Sequence, residues 1–363
     1  VASVYNGHGK LEAAVMMTIH DLETPSVLID LDRMEANIQR MQAYCNQHGL
    51  KLRPHIKTHK IPQIARMQLA AGAVGIACQK LSEAQIFVDE GFDDIVIPYN
   101  IVGPQKTTRL ADLALYNRIA VSADHPTVIA GLADAARAND IQLRVLVDLV
   151  TEVGRTGAAV SEVVSLAQRI DMDDHLHFAG ILLYPSNPVM RPHLQEALHE
   201  LDRTGLGVDV VSGGGLGAAR TAHEIPELTE IRVGTYVFND WGSVRKGWAQ
   251  PEYCAMTVCA TVVSRPTTDR AILDCGSKAL SSDNFEGEYG HVVEYPEAHI
   301  YKLNEEHAYV DLRHCPERPV IGERVHVIPS HACVVANLHN QLFGVRGESV
   351  EITWDVAARG RVW

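Results

Sequence analysis

Between residues 27 and 238 the sequence keeps returning to one pattern. A short β-branched run is followed by a turn, then by a stretch with apolar residues three and four apart. The runs fall at 27–31, 52–57, 74–79, 94–100, 118–124, 143–149, 178–184, 208–212 and 231–238, and amphipathic stretches such as 33–47 and 61–71 lie between them. Strand, helix, strand at roughly 25-residue spacing requires parallel strands joined by crossover helices, because a tight hairpin can only join antiparallel ones. Eight or nine such units in about 210 residues suit a closed (β/α)8 barrel better than an open sheet. A doubly wound sheet is the alternative.

After residue 253 the helical period is lost. β signals take over at 254–263, 270–273, 291–295, 307–311, 324–328, 342–345 and 349–353, punctuated by Pro266, Gly287, Pro316 and Gly322. The spacing predicts two domains: a barrel over 24–244 and a mostly antiparallel β domain over 245–363, with residues 1–23 joining the second. A length of 363 residues fits two domains of ordinary size. A formal net charge of −13 argues against a nucleic acid or an anionic membrane surface as partner. No run of about 18 apolar residues is present, so no transmembrane helix is expected. The apolar patch over 11–17 is broken by Glu12 and follows no basic segment, which argues against a signal peptide. Seven cysteines without framework spacing fit a reducing, cytoplasmic setting. Six read as small buried hydrophobes, and Cys333 is set apart below.

Three clusters could carry chemistry. The first is Arg53-Pro54-His55-Ile56-Lys57-Thr58-His59-Lys60, where a barrel strand gives way to a helix. Barrels of this kind place their active sites on that face. A lysine emerging there among cationic groups, partly desolvated, would have a lowered pKa suited to imine formation; a solvated basic turn is the bland alternative. The second cluster is Ser212-Gly213-Gly214-Gly215 after an apolar strand, followed at the end of the next strand by Gly234-Thr235-Tyr236. Two successive loops late in a barrel form a recurrent phosphate site, whereas a flexible turn is the alternative. The third is His331-Ala332-Cys333, with Asn337 four residues on. Read as strand, this spacing puts imidazole and thiolate on one face, able to share a divalent ion with open coordination. A buried histidine beside a buried cysteine would look the same.

Taken together, Arg53-Pro-His-Ile-Lys-Thr-His-Lys60, Cys78-Gln79-Lys80 with Glu83, the Ser212 glycine loop, Gly234-Thr-Tyr and Pro329-Ser-His-Ala-Cys with Asn337-Leu338 resemble the D-threonine aldolase/D-serine dehydratase family. That family belongs to the alanine-racemase-like fold type of pyridoxal 5'-phosphate (PLP) enzymes. The resemblance runs in order from about Thr24 to Trp363. It implies PLP held by Lys57 as the Schiff-base lysine, with His59 a candidate catalytic group of the same motif. Gly214, Gly215, Gly234 and Thr235 would hold the phosphate. Arg155 and Tyr184 would line the pyridine ring, Gln79 would lie beside its phenolic oxygen, and Lys60 and Lys80 would be surface or phosphate-side charges. His331 and Cys333 would bind a divalent metal (Zn, Mn or Mg). Two departures matter. Some aldolases carry His-x-Asp where this chain has His-x-Cys, as in zinc-using dehydratases. The His-Gly-Ser stretch of those aldolases is replaced here by Tyr184-Pro185-Ser186-Asn187, leaving His193 as the nearest histidine.

The implied activity is a lyase on β-hydroxy D-amino acids, with retro-aldol cleavage to glycine and an aldehyde preferred. The alternatives are dehydration to a keto acid and ammonia, and a non-catalytic PLP-binding regulatory protein. A homodimer is the family expectation.

Overall fold

The computed structural model describes residues 17–363, so the patch over 11–17 lies outside it apart from Met17. Among the described residues, nine strands precede residue 240. The first, β1 (Ser26–Asp30), stands apart from the other eight: β2 (Lys51–Leu52), β3 (Ile76–Ala77), β4 (Asp94–Ile97), β5 (Arg118–Ala123), β6 (Leu143–Leu149), β7 (Leu176–Leu183), β8 (Val210–Gly214) and β9 (Glu230–Arg232). These eight run parallel in the order β2-β9-β8-β7-β6-β5-β4-β3. The ends of that order meet. His55 bridges Ala77 in parallel, while Val74 N donates to Leu52 O and Ala77 N to Pro54 O, both at 2.9 Å. The sheet therefore closes on itself, as the strand–helix repeat predicts.

Several crossover helices begin on a proline, as at Pro62–Ala70, Pro104–Ala114 and Pro126–Ala138. A proline at the first helical position lacks only an N–H that has no intrahelical acceptor there, and its fixed φ suits the helix. Part of the barrel interior is apolar, with Val96, Ala120, Leu146, Ala179 and Leu182 in one cluster. The remainder is ionic. Arg53 Nε donates to Glu230 Oε2 (2.7 Å) and its NH1 to Asp94 Oδ1 (2.6 Å); Ser212 Oγ donates to Glu230 Oε1 (2.7 Å), and Arg232 NH1 donates to Ser212 Oγ. A buried guanidinium is tolerated only when paired in this way.

The second domain comprises β10 (Met256–Thr267), β11 (Arg270–Leu273), β12 (Gly290–Val292), β13 (His299–Leu303), β14 (Ala308–Asp311), β15 (Arg324–Pro329), β16 (Gln341–Arg346) and β17 (Ser349–Asp355). Its sheet is mostly antiparallel, and it includes β1. Ser26 lies opposite Cys259 of β10, and Leu28 pairs in parallel with Phe343 of β16. Residues 27–31, read from the sequence as the opening of the barrel, thus belong to the other sheet. The run is apolar on both faces: Val27 and Ile29 enter the main core, and Leu28 packs with Leu22, Cys259 and Val345. Such a strand suits either sheet, so periodicity cannot assign it. Residues preceding β1 also join this domain, since Ile19 N donates to Glu348 O and Val350 N to Met17 O (2.9 Å each).

Candidate active site

Lys57 sits in a single 3-10 turn, Ile56–Thr58, at the carboxyl end of β2 rather than within a strand. Its Nζ donates to Gln79 Oε1 at 3.3 Å, and His55 Nε2 contacts the same oxygen at 3.1 Å. Glu83 Oε2 accepts from Gln79 N at 2.6 Å and fixes the backbone behind that amide. Burial lowers the Lys57 ammonium, with Cys333 opposing and Arg155 adding to the shift. Burial also holds His55 well below its usual value, reinforced by Lys57 and Arg232, and its Nδ1 is buried without a partner. A partly desolvated lysine beside a neutral imidazole is the electrostatic setting in which an amine is available as a nucleophile.

Around Lys57 a narrow cleft of about 30 Å³ is bounded by Gln79, Asp148, Arg155, Tyr184 and Arg232. Arg155 lies over the Tyr184 ring, 4.6 Å from its centroid. Burial raises Asp148 to about 6, against the hydrogen bond from Thr156 Oγ1 at 2.8 Å. Burial lowers Arg232 to about 10. Sequence reasoning named neither Asp148 nor Arg232. Each sits at the end of a strand whose alternation points it into the barrel, which is the signal that could have found them.

The two glycine loops follow the neighbouring strands β8 and β9. Gly214 and Arg232 pair across β8 and β9, and Gly215, with φ +106°, opens the short helix Leu216–Ala219. A Cβ on Gly234 would lie 2.5 Å from His55 O and 2.6 Å from Thr58 Oγ1, so this position holds the β9 end tight against the Lys57 turn. Thr235 follows, at the edge of a cavity of about 560 Å³ shared with Tyr184, Asp240 and His331.

The third cluster comes from the β domain. His331 is the extended N-cap of helix Ala332–Leu338 (φ −144°, ψ 99°), and Cys333 lies in its first turn. The shared strand face assumed from the sequence is therefore replaced by a strand-to-helix turn. The two side chains still meet. Hydrogen bonding to Cys333 raises His331 to about 9, with burial opposing. Burial pushes the Cys333 thiol up, but His331 and Thr58 outweigh it and leave the thiol below its ordinary value. Cys333 Sγ lies 3.2 Å from Thr58 Oγ1 and 3.6 Å from Thr235 Oγ1, so this pair closes over the barrel mouth beside Lys57. Asp283, which no motif singles out, accepts from His331 Nδ1 at 2.6 Å. Among the described residues no group of three His, Cys, Asp or Glu side chains is placed to hold a metal. An imidazole with an acidified thiol suits a soft divalent ion held by two protein ligands, its other positions open.

Two readings need correction. His59 is fully buried and faces away from the cleft. Its Nδ1 accepts from Ile61 N (3.0 Å), its Nε2 meets Gln68 Oε1 at 3.3 Å, and Gln68 Nε2 donates to Tyr236 OH (2.8 Å). Burial drives its pKa to about 3, so it stays neutral and holds the core rather than substrate. Lys60 is no surface charge: it is buried, with Nζ 3.1 Å from Glu83 Oε1 and donating to Ala358 O at 3.3 Å. Lys80, partly exposed, lies over the Tyr99 ring, 4.0 Å from its centroid, in keeping with a surface charge. His193 is exposed on helix Arg191–Arg203. Asn337 accepts from Gly360 N at 3.1 Å, tying down the end of the chain.

Residues 29–240 match the family model "Alanine racemase, N-terminal domain", and residues 255–345 match "Putative serine dehydratase domain". D-threonine aldolase of Arthrobacter sp. is 34% identical, with 93% of each chain covered. The crystal structure of D-threonine aldolase from Filomicrobium marinum superposes with a TM-score of 0.88 at 31% identity, covering 97% of this chain and all of that one. A metal-free D-threo-3-hydroxyaspartate dehydratase carrying a cysteine-to-alanine change superposes at 0.86 with 27% identity, over 96% of this chain and 100% of that one. No helix among the described residues is long and apolar enough to cross a membrane.

Proposed function

From its place in the D-threonine aldolase/D-serine dehydratase family of alanine-racemase-like enzymes, to which this chain belongs, we propose that it is a PLP- and divalent-metal-dependent lyase that cleaves β-hydroxy D-amino acids to glycine and an aldehyde. One observation carries the reading: Thr58, which follows Lys57 in the same 3-10 turn, touches the Cys333 thiol at 3.2 Å. An amine from the barrel and a ligand pair from the β domain are therefore neighbours, close enough for Cys333 to act electrostatically on Lys57.

Lys57 would carry the cofactor covalently, with Gln79 beside its phenolic oxygen, Arg155 and Tyr184 against the ring, and Gly214, Gly215, Gly234 and Thr235 around the phosphate. His331 and Cys333 would hold the metal. When bound, PLP supplies the electron sink for charge left at Cα, and the metal supplies a Lewis acid for the β-oxygen. The chain's own contribution is positioning. Burial lowers the Lys57 ammonium, which favours its Nζ both as a nucleophile and as the group that would carry a proton to or from Cα. Gln79, held by Glu83 and His55, fixes where that amine can reach. Lys57 would approach a bound substrate from one fixed side, so D and L enantiomers would not be equivalent.

A second reading, dehydration to a keto acid and ammonia, draws on Cys333, the ligand type of zinc-using dehydratases. A thiolate donates more charge than a carboxylate and weakens the metal as a Lewis acid toward a departing hydroxide, which tilts the balance to bond cleavage at Cα–Cβ. The test is incubation of the loaded protein with D- and L-threonine. Glycine and acetaldehyde from the D form alone are expected. Production of 2-oxobutanoate and ammonia without glycine would replace the aldolase by the dehydratase, and equal turnover of both enantiomers would sink the stereochemical assignment.

A further inference from the structure

His331 has two ring nitrogens, and the fold commits one of them. Nδ1–H donates to Asp283 Oδ2 at 2.6 Å, which leaves Nε2 as the nitrogen free to serve as a ligand beside Cys333. About half of the Asp283 side chain is exposed, and an ordinary pair of that kind contributes little. The backbone beneath it is not ordinary. Ser281 is buried and held in the left-handed region, φ +67°, where non-glycine residues are seldom found unless their surroundings impose it. Its Oγ accepts from Asp283 N at 3.2 Å. At the far end of the same loop, Phe285 and Glu288 exchange backbone hydrogen bonds at 3.0 Å, and Trp241 Nε1 donates to Glu288 Oε2 at 2.9 Å. Ser330 Oγ donates to Glu288 O at 2.8 Å, and Ser330 immediately precedes His331. Carboxylate and imidazole are thus held from a common anchor. The other nearby carboxylate, Asp240, is already used: Oδ2 accepts from Ala332 N at 3.1 Å and Oδ1 from Ser243 N at 2.8 Å.

We infer that Asp283 is a positioning residue for the metal site. It fixes the tautomer and ring orientation of His331 and presents Nε2 to a divalent cation beside Cys333 Sγ. The inference rests on the proposed function only for the use made of the ion. A hydrogen bond from a carboxylate to the distal nitrogen of a ligating imidazole raises the basicity of the ligand, and loss of such a partner typically weakens metal binding about 10–100-fold.

The test titrates metal-stripped, PLP-loaded protein with Zn²⁺ and Mn²⁺ against a chromophoric chelator. Wild type, Asp283→Asn, Asp283→Ala and the conservative Asp283→Glu are compared, with His331→Ala as the control. Weaker binding by about 10–100-fold in the Asn and Ala variants is expected, with partial rescue in Glu. The cofactor spectrum and the melting temperature without metal should not move, and turnover at saturating metal should return toward wild type. An unchanged dissociation constant in both Asn and Ala variants overturns the inference. So does loss of the cofactor band together with thermal stability, which would make Asp283 a structural residue. Failure of the proposed function looks different: weakened metal binding without any cleavage of D-threonine by wild type leaves Asp283 in its role while removing the reaction assigned to the site.

Discussion

Two regions meet at the active site, and they are built on different principles. At the barrel mouth, side chains are governed by burial. His55 and His59 are held neutral, and Arg53, Glu230, Ser212 and Arg232 share one internal chain of hydrogen bonds. On the β-domain side, charge is set by neighbours: His331 is raised by Cys333, Cys333 is lowered by His331, and Asp283 supports the imidazole. One half is arranged before any ligand arrives. The other is a charged pair whose state depends on what sits between its members. Changes to metal should therefore silence the reaction without disturbing the barrel, and changes within the barrel core should alter stability before chemistry.

The comparison can be broken in four places. The largest effect is expected from Lys57→Ala, which should remove the visible cofactor band and lower lyase activity by roughly 10³-fold or more. Borohydride reduction followed by peptide mapping should mark Lys57; a label on Lys60 or Lys80 would reverse the assignment. Next, a chelator or Cys333→Ala should lower turnover by about 10²-fold or more while the cofactor spectrum persists. Full activity in a metal-free Cys333→Ala protein would reduce the pair to core residues. Third, Lys60→Met leaves Glu83 buried without its cation and should cost about 3–5 kcal/mol in denaturant unfolding. A loss under about 1 kcal/mol would show that the site is not buried in solution.

The smallest effect on chemistry is expected at His59. His59→Gln should leave turnover within about threefold, while unsatisfied Gln68 costs about 1–3 kcal/mol. This variant also carries a pH signature. The folded pKa of His59 is about 3, below the ordinary 6.5. The unfolded chain therefore takes up a proton that the folded one refuses, so its stabilising contribution is intact above about 6.5. It is lost as pH falls toward 3, at roughly 1.4 kcal/mol per pH unit. In His59→Gln that part of the slope should vanish; an unchanged slope with a large loss of turnover would restore His59 as a catalytic group.

Most of the barrel was legible because periodicity reports directly on which face of an element is buried. The Lys57 motif, the two glycine loops and the His331–Cys333 pair were legible because each is a short contiguous string. What escaped had a common cause. β1 is apolar on both faces, so its pattern names a strand without naming a sheet. β13, whose burial alternates only weakly over His299–Leu303, was missed altogether. His59 and Lys60 share a motif with Lys57, yet only Lys57 lines the cleft while the other two are buried against Gln68 and Glu83, which no spacing reveals. Asp148, Arg232 and Asp283 reach the site from strand ends and a loop far apart in sequence, where only tertiary closure brings them together.

The placement of β1 also orders events in time. Ser26–Asp30 leaves the ribosome before any of the barrel, yet its neighbours come last: Cys259 must be made before one edge is covered, and Phe343 before the other. Through synthesis of the entire barrel this strand keeps two open edges and an apolar run, the combination most prone to pairing with the wrong chain. Its closure joins segments from before and after the whole barrel and belongs to the final stage of folding. A strand that pairs so late works as a clasp, tying the segment before the barrel to the strands after it and holding the segment that carries His331 and Cys333 over the mouth of the barrel.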